Sequence, residues 1–285
     1  MSNPNLASAT IEAWPERKNS QYWINLKKEM VDVWKYRNVV ISYVHTNLRV
    51  RYRKSFLGFL WSVLAPLMSY LVIGLVFSMN AKTKMDHFFL YMFSGSVFFN
   101  FISACITRSP SIMIDNENYL KKIYVPKLTF ILNGLFLELT NFSLSVAALS
   151  VLGLVSGAFV IRPSWIVLPI PVFLAAIGMI GVCCLMSIAG VFFRDLIHIV
   201  PVVMQTLFFL TPVMYQARDF DNGLYSKLMY FNPIYHFIEF FRTPIVTGEW
   251  PAHEHVMFCS VFAPAVFIIG FLVLKKLDNR IVFKL

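Results

Sequence analysis

Six stretches of this sequence pass without a single Asp, Glu, Lys or Arg: Phe59 to Met79, Phe88 to Thr107, Leu139 to Ile161, Pro171 to Phe193, Leu196 to Tyr215 and Val256 to Leu274. Each is close to the ~20 residues that a helix needs to cross the hydrocarbon of a bilayer. This leaves the fold little freedom. Lipid offers a backbone amide no partner, so every stretch is expected as a helix that closes its own hydrogen bonds. Composition agrees, with 58% hydrophobic and 14% charged residues against roughly 45–50% and about 25% in soluble domains. The expectation is an all-α integral membrane protein with six transmembrane helices between residues 55 and 274.

Lys and Arg set the orientation. With both termini cytoplasmic, 19 of the 25 cations fall in inside segments and six in outside ones, a bias that favours this topology. The positive inner face meets anionic lipid or a cytoplasmic partner, and nucleic acid is an unneeded explanation for the net charge of +10. Residues 1–32 form a polar segment with no short apolar core and cleavage site, so no removable signal is expected. Residues 275–285 read as a cytoplasmic tail. The four cysteines, Cys105, Cys183, Cys184 and Cys259, fall within spans and are expected to be small packing residues.

Two flanking features have their own pattern. Over residues 33–54, Val33, Tyr36, Val40, Val44 and Leu48 recur every three or four positions opposite Asn38, Ser42, His45, Arg49 and Arg53, which predicts an amphipathic helix lying in the interface. In the inner loop of residues 109–126, Ser109 can cap and Pro110 can open a short helix, with Asp115 and Glu117 early, Lys121 and Lys122 late, and Pro126 as its stop. Glu117 and Lys121 stand at i,i+4. Asp195 is expected to cap the fifth span beside Arg194 in a tight turn. Between the fifth and sixth spans, residues 216–255 are rich in aromatics. There Asn232 can cap and Pro233 can begin a helix that is too short to span, ends at Pro244, and is expected to be re-entrant or interfacial.

Candidate chemistry is sparse. Glu138 is the one carboxylate at the edge of an apolar stretch, suited to ion coupling, to pairing with a cation across helices, or to a structural place near headgroups. Asp219 with Asp221, His236 with Glu239, and His253 to His255 are short metal-like or acid patterns; no catalytic residue and no metal is assigned. No phosphate loop of the form G-x-x-x-x-G-K-[ST] occurs in these residues. If ATP drives the protein, another polypeptide binds it.

Four blocks, VRYRKSFLGFLWSVLAPL (50–67), YLKKIYVPK (119–127), FFRDLIHIVPVVMQTLFFLTPVMY (192–215) and NPIYHFIEFFR (232–242), resemble the membrane permeases of polysaccharide-exporting type-2 ABC transporters, which move lipid-linked O-antigen, capsule or teichoic acid chains. The resemblance covers about residues 30–280. It implies a homodimer enclosing a channel in the bacterial inner membrane and two copies of a separate ATP-binding subunit, which holds ATP and Mg. Residues 33–52 then correspond to the interface helix, 110–123 to a coupling helix that docks on the ATPase through Asp115, Glu117, Tyr119, Lys121 and Lys122, and 232–242 to an outer gate helix. The first and fifth spans would flank a lateral opening for lipid.

Phe208, Phe209, Tyr215, Tyr225, Tyr230, Tyr235, Phe237 and Phe241 are the channel or outer-gate candidates, because aromatic faces let sugars slide. The competing explanation is an aromatic belt at the headgroups. Arg49, Arg51, Arg53, Lys54 and Arg194 are candidates for membrane lipid or the pyrophosphate of a lipid-linked saccharide. Positive-inside anchoring also accounts for the first four, and Arg51 and Arg53 are expected to do both. The rival cargoes are a drug or a simple lipid, and the rival mechanisms are ion-coupled transport through Glu138 and a membrane-embedded enzyme of glycan assembly.

Overall fold

The computed structural model describes residues 88–122, 125–155, 162–215 and 229–284, with isolated positions at 40–42, 46, 64, 68, 72 and 223. Nearly all of the first expected span and of the expected interface helix lies outside the described residues. Within them every regular element is helical. The long helices are α1 (Phe88–Arg108), α4 (Lys127–Val155), α5 (Pro169–Phe192), α6 (Leu196–Leu210), α7 (Pro233–Val246) and α8 (His253–Lys284). Between α1 and α4 lie a 3-10 turn (Ser109–Ser111), α2 (Ile112–Asp115) and α3 (Glu117–Lys122), and a second 3-10 turn (Pro163–Val167) precedes α5. Among the described residues, four segments are long and apolar enough to cross a membrane: Leu90–Asp115, Lys127–Val151, Pro163–Phe192 and His253–Asp278.

α1 is the central helix. Every residue from 90 to 99 is buried, and α1 packs on α4, α7, α6 and α5. Rings tie three of these together: Phe98 of α1 lies 4.9 Å from Phe241 of α7 and 5.7 Å from Phe142 of α4, and Phe142 lies 5.7 Å from Phe241. Such pairs add about 0.5–1.5 kcal/mol each beyond their burial.

α5 and α8 form the most extensive helix pair, and small residues explain why. A Cβ on Gly181 would stand 2.3 Å from the Val266 carbonyl, and one on Gly270 would stand 2.2 Å from the Gly181 carbonyl. The backbones touch there, as membrane helices do where glycine removes the side chain between them. The four cysteines are buried and unpaired, as a packing role requires.

Several helix ends depart from expectation. α6 stops at Leu210, short of Tyr215, because Pro212 restricts the preceding residue; Thr211 turns to φ −90°, ψ 136°. α7 does not end at Pro244. It runs to Val246, since near a helix end proline removes only one bond, and Gly248 at φ 73° closes it. Ser109 is not a cap: α1 leads directly into the 3-10 turn, and the buried Ser109 hydroxyl donates back to the Cys105 carbonyl at 2.5 Å. The inner-loop helix is in fact two pieces, broken at Asn116, whose side chain donates to the Ile112 carbonyl at 2.8 Å. Asp195 occupies the N-cap position of α6 without a side-chain cap bond, and its backbone carbonyl takes the amides of His198 and Ile199 instead.

At 32 residues and about 1.5 Å each, α8 is roughly 48 Å long, well beyond a bilayer's hydrocarbon. The expected tail is therefore largely its last turns. These turns are anchored: the Lys127 ammonium, at the start of α4, donates to the Asp278 carboxylate and, at 2.8 Å, to the Asp278 backbone carbonyl. The Lys127 side chain is 8% exposed. Removing one partner of a buried pair costs far more than removing both. Lys127→Met should therefore lower unfolding stability in mixed micelles by about 3 kcal/mol, and adding Asp278→Leu should recover most of that loss; equal losses in the single and double variants would contradict the pairing.

Candidate functional site

The bundle has two chemically different ends. The charged end is built from the α1–α4 connection and the α5–α6 turn, where Lys121, Lys122 and Arg194 stand with Asp115, Glu117 and Asp195. Ile112, Met113 and Leu120 bury themselves and seat α2 and α3, and Pro110 rests on α5 at Gly190, where a Cβ would lie 2.2 Å from the Pro110 carbonyl. The charged side chains remain outside. Tyr119 is exposed, and Lys121 reaches Glu117 at 2.5 Å, the i,i+4 pair expected from spacing. The hydrogen bond and charge of Lys121 hold the Glu117 carboxyl below its ordinary range, and Arg194 adds to this from the α5–α6 turn. Arg194 thus belongs to the same surface as α3. Asp115 accepts from Ser111 Oγ at 2.8 Å. Beside the exposed Arg194 stands Phe193, 70% exposed.

Glu138 is one step inside this end. It pairs with Arg108 at 3.7 Å and accepts from Asn141 Nδ2 at 2.9 Å. Of the readings open to it, pairing with a cation across helices is the arrangement found. Sequence spacing could not supply the partner, because Arg108 lies on another helix.

The opposite end is organised around α7. Asn232 caps it, accepting from the Ile234 amide at 3.0 Å, and its own Nδ2 donates to Thr211 Oγ1 at 2.8 Å. That bond ties the start of α7 to the end of α6. From Ile234 to Ile245 all but Glu239 and Thr243 are buried, so α7 is packed within protein instead of lying on a surface. Two polar side chains, His236 and Arg242, are buried along with the apolar ones.

Arg242 explains how. Its side chain is 1% exposed; Nη1 donates to the Pro212 carbonyl at 3.0 Å, Nη2 donates to the Glu239 carboxylate, and the guanidinium lies 3.6 Å over the Tyr91 ring. One cation therefore joins α7 to α1 and to the turn after α6. Tyr91 in turn donates to the Tyr215 carbonyl at 3.0 Å, and Tyr215 donates to the Phe209 carbonyl at 2.9 Å. Reading the sequence for aromatics missed Arg242 and Tyr91; the only local signal was the i,i+3 spacing of Glu239 and Arg242.

The histidines close the other side of α7. His236 Nδ1 lies 2.9 Å from His255 Nδ1 of α8, and His236 Nε2 lies 2.8 Å from the Tyr230 carbonyl. A carbonyl only accepts, so Nε2 carries the His236 proton and Nδ1 receives one from His255. Phe258 stacks on His236 at 4.1 Å. With His236 and Glu239 engaged in this way, their sequence pattern resolves into a link between helices.

The channel candidates fall into separate groups. Tyr235, Phe237 and Phe241 are buried in this chain, Phe208 is half-buried against Phe99 at 5.1 Å, and Phe209 and Tyr230 are exposed. Phe231, an aromatic of the same segment that is not among the channel candidates, is 84% exposed. Tyr225, Asp219, Asp221, Arg49, Arg51, Arg53 and Lys54 lie outside the described residues.

α6 shows a further feature. Only Val200 and Met204 are buried, while His198, Val202, Gln205 and Phe209 form one exposed stripe at helical spacing. Tertiary context alone reveals that this face has no cover from the described residues.

Residues 38–246 match the ABC-2 type transporter family. Among similar proteins, the O-antigen export system permease protein RfbA of Myxococcus xanthus is 29% identical over 79% of this chain and 87% of its own length. The Klebsiella pneumoniae protein of the same name is 26% identical over 85% and 93%. The polysialic acid transport protein KpsM of Escherichia coli is 21% identical over 78% and 87%. The family match takes in most of the chain, including both ends of the bundle just described, and this protein belongs to the ABC-2 type transporter family.

Proposed function

We propose that this chain is the membrane subunit of an ATP-driven exporter that carries a lipid-linked polysaccharide from the cytoplasmic side across a bacterial inner membrane. Two copies enclose the conduit through six spans each, and two copies of a separate ATP-binding subunit, with their ATP and Mg, dock at the charged end built by the α1–α4 connection. Both termini are then cytoplasmic. The names of the relatives support the cargo: two are O-antigen export permeases and one is a polysialic acid transport protein.

The observation that carries the conduit is the exposed stripe on α6. His198 and Gln205 face outward on a helix of 15 residues, about 22 Å long. A polar amide turned to lipid tails is costly. The stripe is therefore assigned to a polar space shared with the second copy, where Phe209 and, at the mouth, Tyr230 and Phe231 offer sliding faces to sugar. Tyr215, Tyr225, Tyr235, Phe237 and Phe241 complete the outer gate, the buried ones as its support. Arg49, Arg51, Arg53, Lys54 and Arg194 are assigned to the pyrophosphate and neighbouring headgroups. The engagement of Glu138 with Arg108 and Asn141 supports a structural role over ion coupling.

ATP closure reaches the spans through Asp115, Glu117, Tyr119, Lys121 and Lys122, and such coupling requires that the two conformations hold the partner differently. The test is Lys121→Glu with Lys122→Glu in the assembled transporter. ATP hydrolysis should continue while export falls at least tenfold; normal export at normal abundance would contradict the docking assignment.

A further inference from the structure

We infer that the groove between α4, α5 and α7 binds one acyl tail of a bilayer phospholipid, with its phosphate held near Arg162. The groove has a volume of about 630 Å³, within the range of small-ligand sites. Phe142, Val146 and Leu149 of α4 form one wall, Val172 and Ala176 of α5 the other, and Phe241 and Ile245 of α7 the end. Its polarity is low. Ser150 is the one hydroxyl in the lining, and it already donates to the Val146 carbonyl at 2.9 Å. A water cluster needs two to four polar partners per molecule, which these walls do not offer. Left open, the same walls would forfeit their dispersion contacts.

The mouth identifies the occupant. Phe173 lines the groove and is also 66% exposed, and Ile166 and Ile170 continue an exposed apolar stripe along the same face. That face belongs to Pro163–Phe192, the stretch suited to cross the membrane, so the groove opens onto hydrocarbon. At its rim Trp165 joins the lining. Three residues earlier stands exposed Arg162, whose Nη1 donates to the Thr247 carbonyl just past the end of α7. A guanidinium has five donors, so one carbonyl bond leaves it able to meet a lipid phosphate. The tail lies against Phe241 and Ile245, supporting α7 on a side that α1 and α8 do not cover. This goes beyond the export reading and does not depend on which cargo is carried.

The experiment uses the full-length chain, delipidated and titrated with a phospholipid brominated in its acyl chains, because bromine quenches nearby tryptophan. The contribution of Trp165 is isolated by subtracting the signal of Trp165→Phe. The inference predicts quenching that saturates at a few mole per cent of brominated lipid. It should disappear in Ala176→Phe, which fills the groove, or in Val172→Phe should the first variant not fold. Arg162→Gln should weaken the brominated phospholipid about tenfold and leave a brominated fatty alcohol unchanged. Quenching in strict proportion to bulk lipid would overturn the site, as it marks an open surface. So would absence of quenching in fully brominated vesicles, which would mean that residues 156–161 or a second copy fills the groove.

Discussion

Arg242→Leu should abolish export and lower unfolding stability by about 3–5 kcal/mol, the range for breaking a buried ion pair on one side. The reason is local. The substitution leaves the Glu239 carboxylate, itself only 18% exposed, without its cation, and it leaves the Pro212 carbonyl and the Tyr91 ring without the guanidinium that joined them. Lysine cannot reproduce this, since one ammonium cannot reach a carboxylate, a carbonyl and a ring face through fixed planar donors. Arg242→Lys should therefore keep the fold at reduced stability and still lose most export. Glu239→Gln placed on Arg242→Leu should recover part of the stability, because no charge is then left unpaired. A double-mutant cycle read by unfolding in micelles measures the coupling; additive losses would show that Glu239 and Arg242 do not act together.

Gly190→Val should be the second severe change, and it acts at the opposite end. A side chain there meets the Pro110 backbone at 2.2 Å, and backbone cannot step aside as a flexible side chain can. The 3-10 turn must lift away from α5, taking α2 and α3 with it. Overpacking of this kind costs about 1–3 kcal/mol or more, and here the displaced element is the proposed docking surface. The variant is expected in the membrane at reduced abundance, with ATP-binding subunit lost from the purified complex. Gly190→Ala should show the same defects in milder form. Full copurification with Gly190→Val would contradict the placement of this turn.

Much of the architecture was legible because lipid simplifies the reading. Uncharged runs located α1, α5 and the start of α8 within a few residues, and Asn232–Pro233 marked the start of α7 through cap chemistry that acts locally. The same runs placed the end of α8 and the start of α4 too tightly, because charged residues continue both helices. What the sequence hid was non-local. Arg108 with Glu138, Lys127 with Asp278, and His236 with His255 join residues far apart in the chain, and no periodicity carries such partners. The two-piece form of residues 109–122 was hidden for a related reason. Ser109 and Asn116 bond back to carbonyls four residues earlier, a competition with capping that side-chain type alone does not decide. Among the aromatics, composition could not separate Phe237 and Phe241, which build the core, from Phe209 and Phe231, which face outward.

The proposed function requires energy delivered from outside this chain. The decisive measurement is export of a lipid-linked polysaccharide into sealed vesicles, with this protein reconstituted alone or together with its ATP-binding subunit, each with and without ATP. Export should appear only when both proteins and ATP are present. Export at an undiminished rate by this chain alone, without nucleotide, would contradict the account.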